Sequence, residues 1–168
     1  MGYWMNLGQI QRINAKKFPD TVALKDANRA FTYPQMNSRT NQLANSLTSL
    51  GLQKGDKVAV LLENCIEICE PFLATAKAGI IIVPINFRLV SAEVEYIVNN
   101  SDAKAMVVHD QFASVVEPIR SDLKNIDVQN YIIVGKSQDG YQPYEEFINA
   151  SADTEPDTEV APRDTWIL

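Results

Sequence analysis

Lys54-Gly55-Asp56-Lys57-Val58-Ala59-Val60-Leu61-Leu62 opens the stretch whose reading decides the fold. A helical segment follows and closes at Ala76-Lys77-Ala78-Gly79. Then come Ile80-Ile81-Ile82-Val83-Pro84-Ile85-Asn86-Phe87-Arg88, a second helical segment, and Ala105-Met106-Val107-Val108. The order is strand, helix, strand, helix, strand, and each strand is an unbroken apolar run. A strand with one face in water alternates apolar and polar residues. A continuous run belongs to a strand buried on both faces, as in a parallel sheet covered by helices. A fourth run starts at Tyr131, so the strands begin near Val58, Ile80, Ala105 and Tyr131, about two dozen residues apart, which suits βα units.

Working outward toward the N-terminus, residues 6–17 read as a helix with Leu7, Ile10, Ile13 and Phe18 on one side. Thr21–Lys25 and Ala30–Tyr33 flank Asp26-Ala27-Asn28-Arg29, a turn sequence, and predict a β-hairpin. Thr32 and Gln35 form a Thr-x-x-Gln capping box with Pro34 in the first turn. Met36, Leu43, Leu47 and Leu50 recur at helical spacing, and Gly51 ends that helix. Tyr3, Trp4 and Met5 put apolar side chains before the first helix, without a pattern that assigns them a role.

Toward the C-terminus, the helix after the first strand contains Pro71, which either kinks it or delays its regular part to Glu70-Pro71. The next helix takes Ser91 as N-cap and turns Val94, Ile97 and Val98 inward. A fourth spans 111–124 with Phe112, Val115, Val116, Ile119 and Leu123 on one face, and Tyr144–Ile148 is a short helix. The expected fold is α/β: a mostly parallel sheet with helices on both faces, preceded by a helix and a β-hairpin. The expected divisions are 1–56 for the N-terminal helix, hairpin and helix, 57–149 for the parallel α/β part, 150–164 for an exposed acidic linker, and 165–168 for the start of a truncated strand, Thr165-Trp166-Ile167-Leu168.

With 168 residues, 46% of them hydrophobic, the chain has the size and composition for one packed core. A net charge of −6 with dispersed Lys and Arg argues against nucleic acid as a partner. No apolar run approaches the ~20 residues of a membrane span. The N-terminus lacks the pattern of a signal peptide, and no basic amphipathic helix is legible for a membrane surface. Cys65 and Cys69 read as free thiols, so a cytoplasmic location is the default expectation.

The chain contains neither Gly-x-x-x-x-Gly-Lys-Ser/Thr nor Gly-x-Gly-x-x-Gly. Lys57 follows Gly55-Asp56 but stands at the amino end of its strand, whereas ligands of open parallel sheets bind outside the carboxyl ends. Cys65, Cys69 and the single histidine, His109, would hold a metal only as part of a tetrahedral set of three or four ligands, with the two cysteines on one helix face despite Pro71. The cysteines read as small thiols against the sheet, and His109 as a loop residue or helix cap just past a strand. Asn86, Phe87 and Arg88 stand at a carboxyl end. Arg88 has the donor fork to hold a phosphate. Alternatively, Asn86 makes an Asx turn and Arg88 is solvated or paired with an acid.

Phe31-Thr32-Tyr33-Pro34-Gln35-Met36 resembles the first core motif of the adenylate-forming (AMP-dependent) synthetases. Gly51–Val58 is similar to that family's loop into its first parallel strand, Ala76–Gly79 through Asn86 to its second core motif, and Asp164–Leu168 to the strand before its phosphate-binding loop. The matches keep the family's order from residue 18 to 168. Pro84-Ile85-Asn86-Phe87-Arg88-Leu89 is most similar to acyl-CoA synthetases of the long-chain fatty-acid type. Asn86 and Arg88 depart from the Pro-Ile-Asp-Pro wording of amino-acid-activating domains.

The resemblance implies the incomplete N-terminal domain of a ligase that uses ATP, Mg²⁺ and coenzyme A to convert a fatty or other carboxylic acid to its thioester through an acyl-adenylate. It implies that the catalytic motifs lie beyond Leu168, that no catalytic or metal-binding residue falls within these 168, and that the fragment alone is inactive. It places Asn86, Phe87 and Arg88 near the nucleotide end of coenzyme A. The hairpin's partner strands would come from the remaining C-terminal part of the polypeptide, so a poorly packed hairpin and a homo-oligomer of the fragment are expected. The rival readings are a stand-alone nucleotide- or protein-binding α/β module and another adenylate-forming ligase of the aryl-CoA type.

Overall fold

The computed structural model describes residues 6–168, so Tyr3, Trp4 and Met5 lie outside the described residues. The elements are α1 (Leu7–Lys17), β1 (Val22–Lys25), β2 (Ala30–Thr32), α2 (Tyr33–Ser49), β3 (Lys57–Leu61), α3 (Ile66–Ala78), β4 (Ile81–Pro84), α4 (Ser91–Asn100), β5 (Ala103–His109), α5 (Ala113–Val116), β6 (Tyr131–Val134), β7 (Gln142–Pro143) and α6 (Tyr144–Asn149). Strands β3 to β7 form one sheet in the order β4-β3-β5-β6-β7, every pair parallel. Ile167 adds a parallel bridge to Ile82, on the free edge of β4.

The unbroken apolar runs are explained by two cores, one on each face. Val58, Val60, Ile82, Ala105, Val107 and Ile132 face α2, α3 and α6 through Leu43, Leu47, Ala74 and Phe147. The intervening residues Ala59, Leu61, Met106, Val108 and Ile133 face the other way, onto Val94 and Val98 of α4 and Ala113, Val116 and Ile119. Successive strand residues point to opposite faces, and here both faces are dry. At about 1.5–3 kcal/mol for each fully buried aliphatic side chain, these layers are the main driving force for folding.

The hairpin β1–β2 forms an antiparallel pair of its own, with partly exposed strands. The capping box of α2 is present: Gln35 N–H donates to Thr32 Oγ1 at 3.4 Å, and Thr32 N–H donates to Gln35 Oε1 at 2.8 Å. One open alternative is decided and two local expectations are revised. Helix α3 begins at Ile66, not near Glu70, and keeps Pro71 inside; the proline removes a single hydrogen bond, to the carbonyl of Glu67. The N-cap of α4 is Val90, not Ser91, and its N–H is satisfied by Glu93 Oε2 at 3.0 Å. The helix expected over 111–124 is a short α5 between 3₁₀ turns Asp110–Phe112 and Glu117–Asp122, because Pro118 cannot donate to Ser114.

Residues 150–164 have no helix or strand and run as a strap across α2. Asn41 Nδ2 donates to Asp153 O at 2.8 Å, Asn45 Nδ2 to Ala152 O at 2.8 Å, and Lys77 Nζ to Glu155 Oε2 at 2.7 Å. Lys54 reaches Asp164 at 2.6 Å, and Trp166 Nε1 donates to Phe72 O at 2.9 Å.

Helix α1 keeps its apolar residues on one side, as the spacing indicates, but that side is not the buried one. Its buried residues are Gly8 and Gln11, whereas Leu7, Ile10 and Ile13 face outward. A Cβ on Gly8 would lie 2.7 Å from Ala76 O and 2.9 Å from Lys77 Cα, so α1 packs main chain to main chain on the last turn of α3. Replacing Gly8 with Ala gains about 1 kcal/mol in helix propensity. The added methyl meets backbone that cannot rotate away, an overpacking cost of about 1–3 kcal/mol. Gly8→Ala is therefore expected to lower the urea midpoint of the chain, whereas an alanine at exposed Lys16 of the same helix should not.

Candidate functional site

The chain leaves β3 through α3 to β4 on one side, and reaches β5 on the other side through α4. That reversal opens a crevice at the carboxyl ends of β3 and β5, the place where open α/β sheets hold ligands. The loops there are Ile85–Leu89 after β4 and Asp110–Phe112 after β5.

Asn86, Phe87 and Arg88 are all exposed. Asn86 Oδ1 accepts the N–H of Arg88 at 3.0 Å, an Asx turn, and Asn86 O accepts the N–H of Leu89 at 3.1 Å. The turn pushes Phe87 across the crevice onto Phe112, with ring centroids 5.7 Å apart and planes 26° from parallel. The Arg88 guanidinium stands 5.6 Å from the Phe87 centroid. Among the described residues Arg88 pairs with no carboxylate. A planar ring surface beside an uncommitted guanidinium suits a base stacked on the one and a phosphate held by the other.

His109 packs edge-on to Phe112 at 6.4 Å, and its Nδ1 lies 2.8 Å from Asp110 Oδ1. It caps the 3₁₀ turn that follows. Asp110 Oδ2 accepts the N–H of Lys136 at 2.8 Å. That hydrogen bond, with the nearby His109, holds the Asp110 carboxyl below the usual range. Gly135, at φ +94°, gives this carboxylate room, since a Cβ there would lie 2.8 Å from Asp110 Cγ. Asp110 thus ties the loop after β5 to the loop after β6. Neither Phe112 nor Asp110 is picked out by the sequence reading: Phe112 has the helical spacing of a core residue, and Asp110 has no motif around it.

Cys65 is the N-cap residue of α3, and Cys69 lies one turn on; both are half-buried free thiols. Burial, with the charge of Glu67, pushes the Cys65 thiol up to about 11, and burial raises Cys69 as well. Both are protonated and unreactive at neutral pH. No three His, Cys, Asp or Glu side chains converge among the described residues to hold a metal ion.

A second cleft of about 280 Å³ opens at the carboxyl end of β6, on the α3 and α6 side. Its charged lining is Arg29 against Glu67, Glu145 and Glu146, so it repels an anionic ligand. Arg29 Nη1 donates to Glu67 Oε1 at 2.5 Å and binds Asp26 at 2.8 Å, which locks the hairpin turn to α3. Burial pushes the Glu67 carboxyl up, but the Arg29 hydrogen bond and charge outweigh it and leave the group below its ordinary value. A carboxyl lowered in the folded state contributes stability above its unfolded pKa, and loses it as pH falls through the folded value. Stability measured by denaturant should therefore drop from about pH 4.5 downward, and Glu67→Gln should flatten part of that drop while lowering stability at pH 7.

Residues 12–168 match the family model of the AMP-binding enzymes. A medium/long-chain-fatty-acid–CoA/3-oxocholest-4-en-26-oate–CoA ligase of Mycobacterium marinum is 34% identical over 163 residues, 96% of this chain and 30% of the relative. The structure of an anthranilate CoA ligase, AuaEII, in complex with anthranoyl-AMP superposes with a TM-score of 0.93 at 27% identity, over 99% of this chain and 32% of that one. A Mycobacterium tuberculosis fatty acyl CoA synthetase superposes at 0.86 with 32% identity, over 96% and 32%. The chain thus spans about a third of the length of these proteins.

Proposed function

This chain belongs to the AMP-binding enzyme family, and from that premise we propose that its parent polypeptide is an ATP-dependent acyl-CoA ligase acting on a fatty acid. A carboxylate oxygen attacks the α-phosphorus of ATP, giving acyl-adenylate and pyrophosphate. The sulfur of coenzyme A then attacks the acyl carbon, AMP leaves, and the thiol proton is released. The observation that supports this reading is the continuous likeness of nearly the whole chain, at 34% identity, to a medium/long-chain-fatty-acid–CoA ligase. An aryl acid is the second reading, favoured by the close superposition on an anthranilate CoA ligase.

The residues of this chain supply the floor of the site rather than its reacting groups. They include no glycine-rich phosphate cradle and, among those described, no metal-holding cluster. For coenzyme A the residues fit: Phe87 and Phe112 offer a ring surface, Arg88 a free phosphate fork, and the Asn86 turn holds both in place. Partners of this reading are the remaining C-terminal part of the polypeptide and, for the 168 residues alone, a second copy, since the hairpin edges are open. A cytoplasmic location fits the two free thiols.

In ATP–pyrophosphate exchange with a panel of fatty and aryl acids, the full-length enzyme is expected to respond to fatty acids and these 168 residues alone to none. No exchange by the full-length enzyme would overturn the ligase reading. Arg88→Ala in the full-length enzyme is expected to raise KM for coenzyme A about tenfold, the loss of one charged hydrogen bond, and to leave KM for ATP unchanged. An unaltered coenzyme A KM would remove Arg88 from the site.

A further inference from the structure

We propose that the outward face of α1 is a docking surface for an anionic lipid bilayer. Leu7, Ile10, Ile13 and Phe18 are 48, 37, 38 and 40% exposed, a density of open aliphatic and aromatic side chains found on no other helix described here. They stand outward because Gly8 and Gln11 occupy the side against α3. The rest of the outward face is cationic. Lys16 and Lys17 are exposed, and neither pairs with a carboxylate among the described residues; Arg12, also exposed, flanks the face in the cleft it shares with Lys77 and Glu155. Lys17 Nζ lies 5.2 Å from the centroid of the Phe18 ring, its stem along the apolar stripe and its charge at the edge.

The charge is segregated along the chain. Residues 1–19 hold these three cations and no Asp or Glu, whereas the remainder holds 12 Lys and Arg against 21 Asp and Glu. A basic face placed on an acidic protein turns that protein toward a negative surface. The stripe lies along one convex helix, and the exposed apolar residues form a ridge, not a slot that would grip a protein side chain. A bilayer interface accepts such a ridge, with apolar side chains below the headgroups and lysines among the phosphates. The surface is independent of the ligase reading, since no residue of the crevice belongs to it.

The test is co-sedimentation of the full-length enzyme with phosphatidylcholine vesicles, with and without phosphatidylglycerol, at low and high salt. Binding is expected with phosphatidylglycerol and to be lost without it. It should weaken with salt, fall about fivefold for each of Lys16→Gln and Lys17→Gln, and be abolished by Ile10→Ser combined with Ile13→Ser. Circular dichroism of each variant confirms the fold, and ATP–pyrophosphate exchange run alongside scores the ligase reading separately. Sedimentation of the 168 residues but not of the full-length enzyme would show the face covered by the rest of the polypeptide and overturn the proposal. So would vesicle binding unchanged by these substitutions, or loss of the exposed face to self-association seen by light scattering without any vesicle binding.

Discussion

Strand β3 has a hydrogen-bonded neighbour on each edge and a helical layer on each face, so it has no side that can meet water. The constraint propagates outward. The chain must leave β3 and return over one face to reach β4, then cross the other face to reach β5, because parallel neighbours require a crossover. Helices α3 and α4 therefore lie on opposite sides, and the loops after the adjacent strands β3 and β5 diverge, toward α3 and α5. The crevice with Phe87, Phe112 and Arg88 is the space that divergence leaves. Its position follows from burying Val58, Val60, Ala59 and Leu61 completely.

A dry helix-to-sheet layer leaves little tolerance for polar groups, yet α3 places Glu70 there with no exposure at all. The carboxylate survives because it is fully engaged: Arg39 Nε donates to one oxygen, while Arg39 Nη2 at 3.2 Å and the Tyr144 hydroxyl at 2.6 Å donate to the other. Burial and the adjacent Glu70 charge hold the Tyr144 hydroxyl well above its ordinary range, so it remains a donor. Arg39 continues to Glu145 at 2.7 Å and lies over the Phe31 ring at 5.1 Å. One buried charge thus fixes α2, α3, α6 and the hairpin in mutual register. Removing a single partner from such a pair costs about 3–5 kcal/mol, whereas an apolar replacement of the whole set is often neutral. The network therefore specifies the arrangement more than it stabilises it. Lys77 and Glu155 do the same for the strap, with Asn37 and Asn41 completing the set.

The parallel sheet was legible because two-sided burial writes itself as unbroken apolar runs, and the capping box at Thr32 because its chemistry is local. What failed to read was long-range or directional. The spacing of Leu7, Ile10 and Ile13 shows that α1 has an apolar side, but only the backbone contact allowed by Gly8 tells which side faces α3. The acidic composition of 150–164 suggests exposure, and it conceals that Asn41, Asn45 and Lys77, more than seventy residues away in sequence, hold this stretch down. Phe112 looked like a core residue since helical spacing cannot distinguish a ring packed inward from one offered to a neighbouring loop. The sequence offers the Asx turn at Asn86 as an alternative to a phosphate-holding Arg88; the turn forms, and it leaves Arg88 exposed and without a carboxylate partner among the described residues.

For an acidic chain to hold an anionic ligand, the attraction has to be local. At physiological ionic strength charges farther than about 8 Å are screened, so the net charge of −6 matters less than the nearest side chains. At the crevice these favour an anion. Asp110 is occupied by the Lys136 N–H and by His109, whereas Arg88 is uncommitted among the described residues and exposed. At the β6 cleft they oppose one: its single arginine is consumed by Glu67 and Asp26, while Glu146 remains. The crevice is therefore the better host for a phosphate, although the β6 cleft encloses a cavity of about 280 Å³. Cavity size follows from how helices end; the sign of the field follows from which charges are left over after the fold has used the rest.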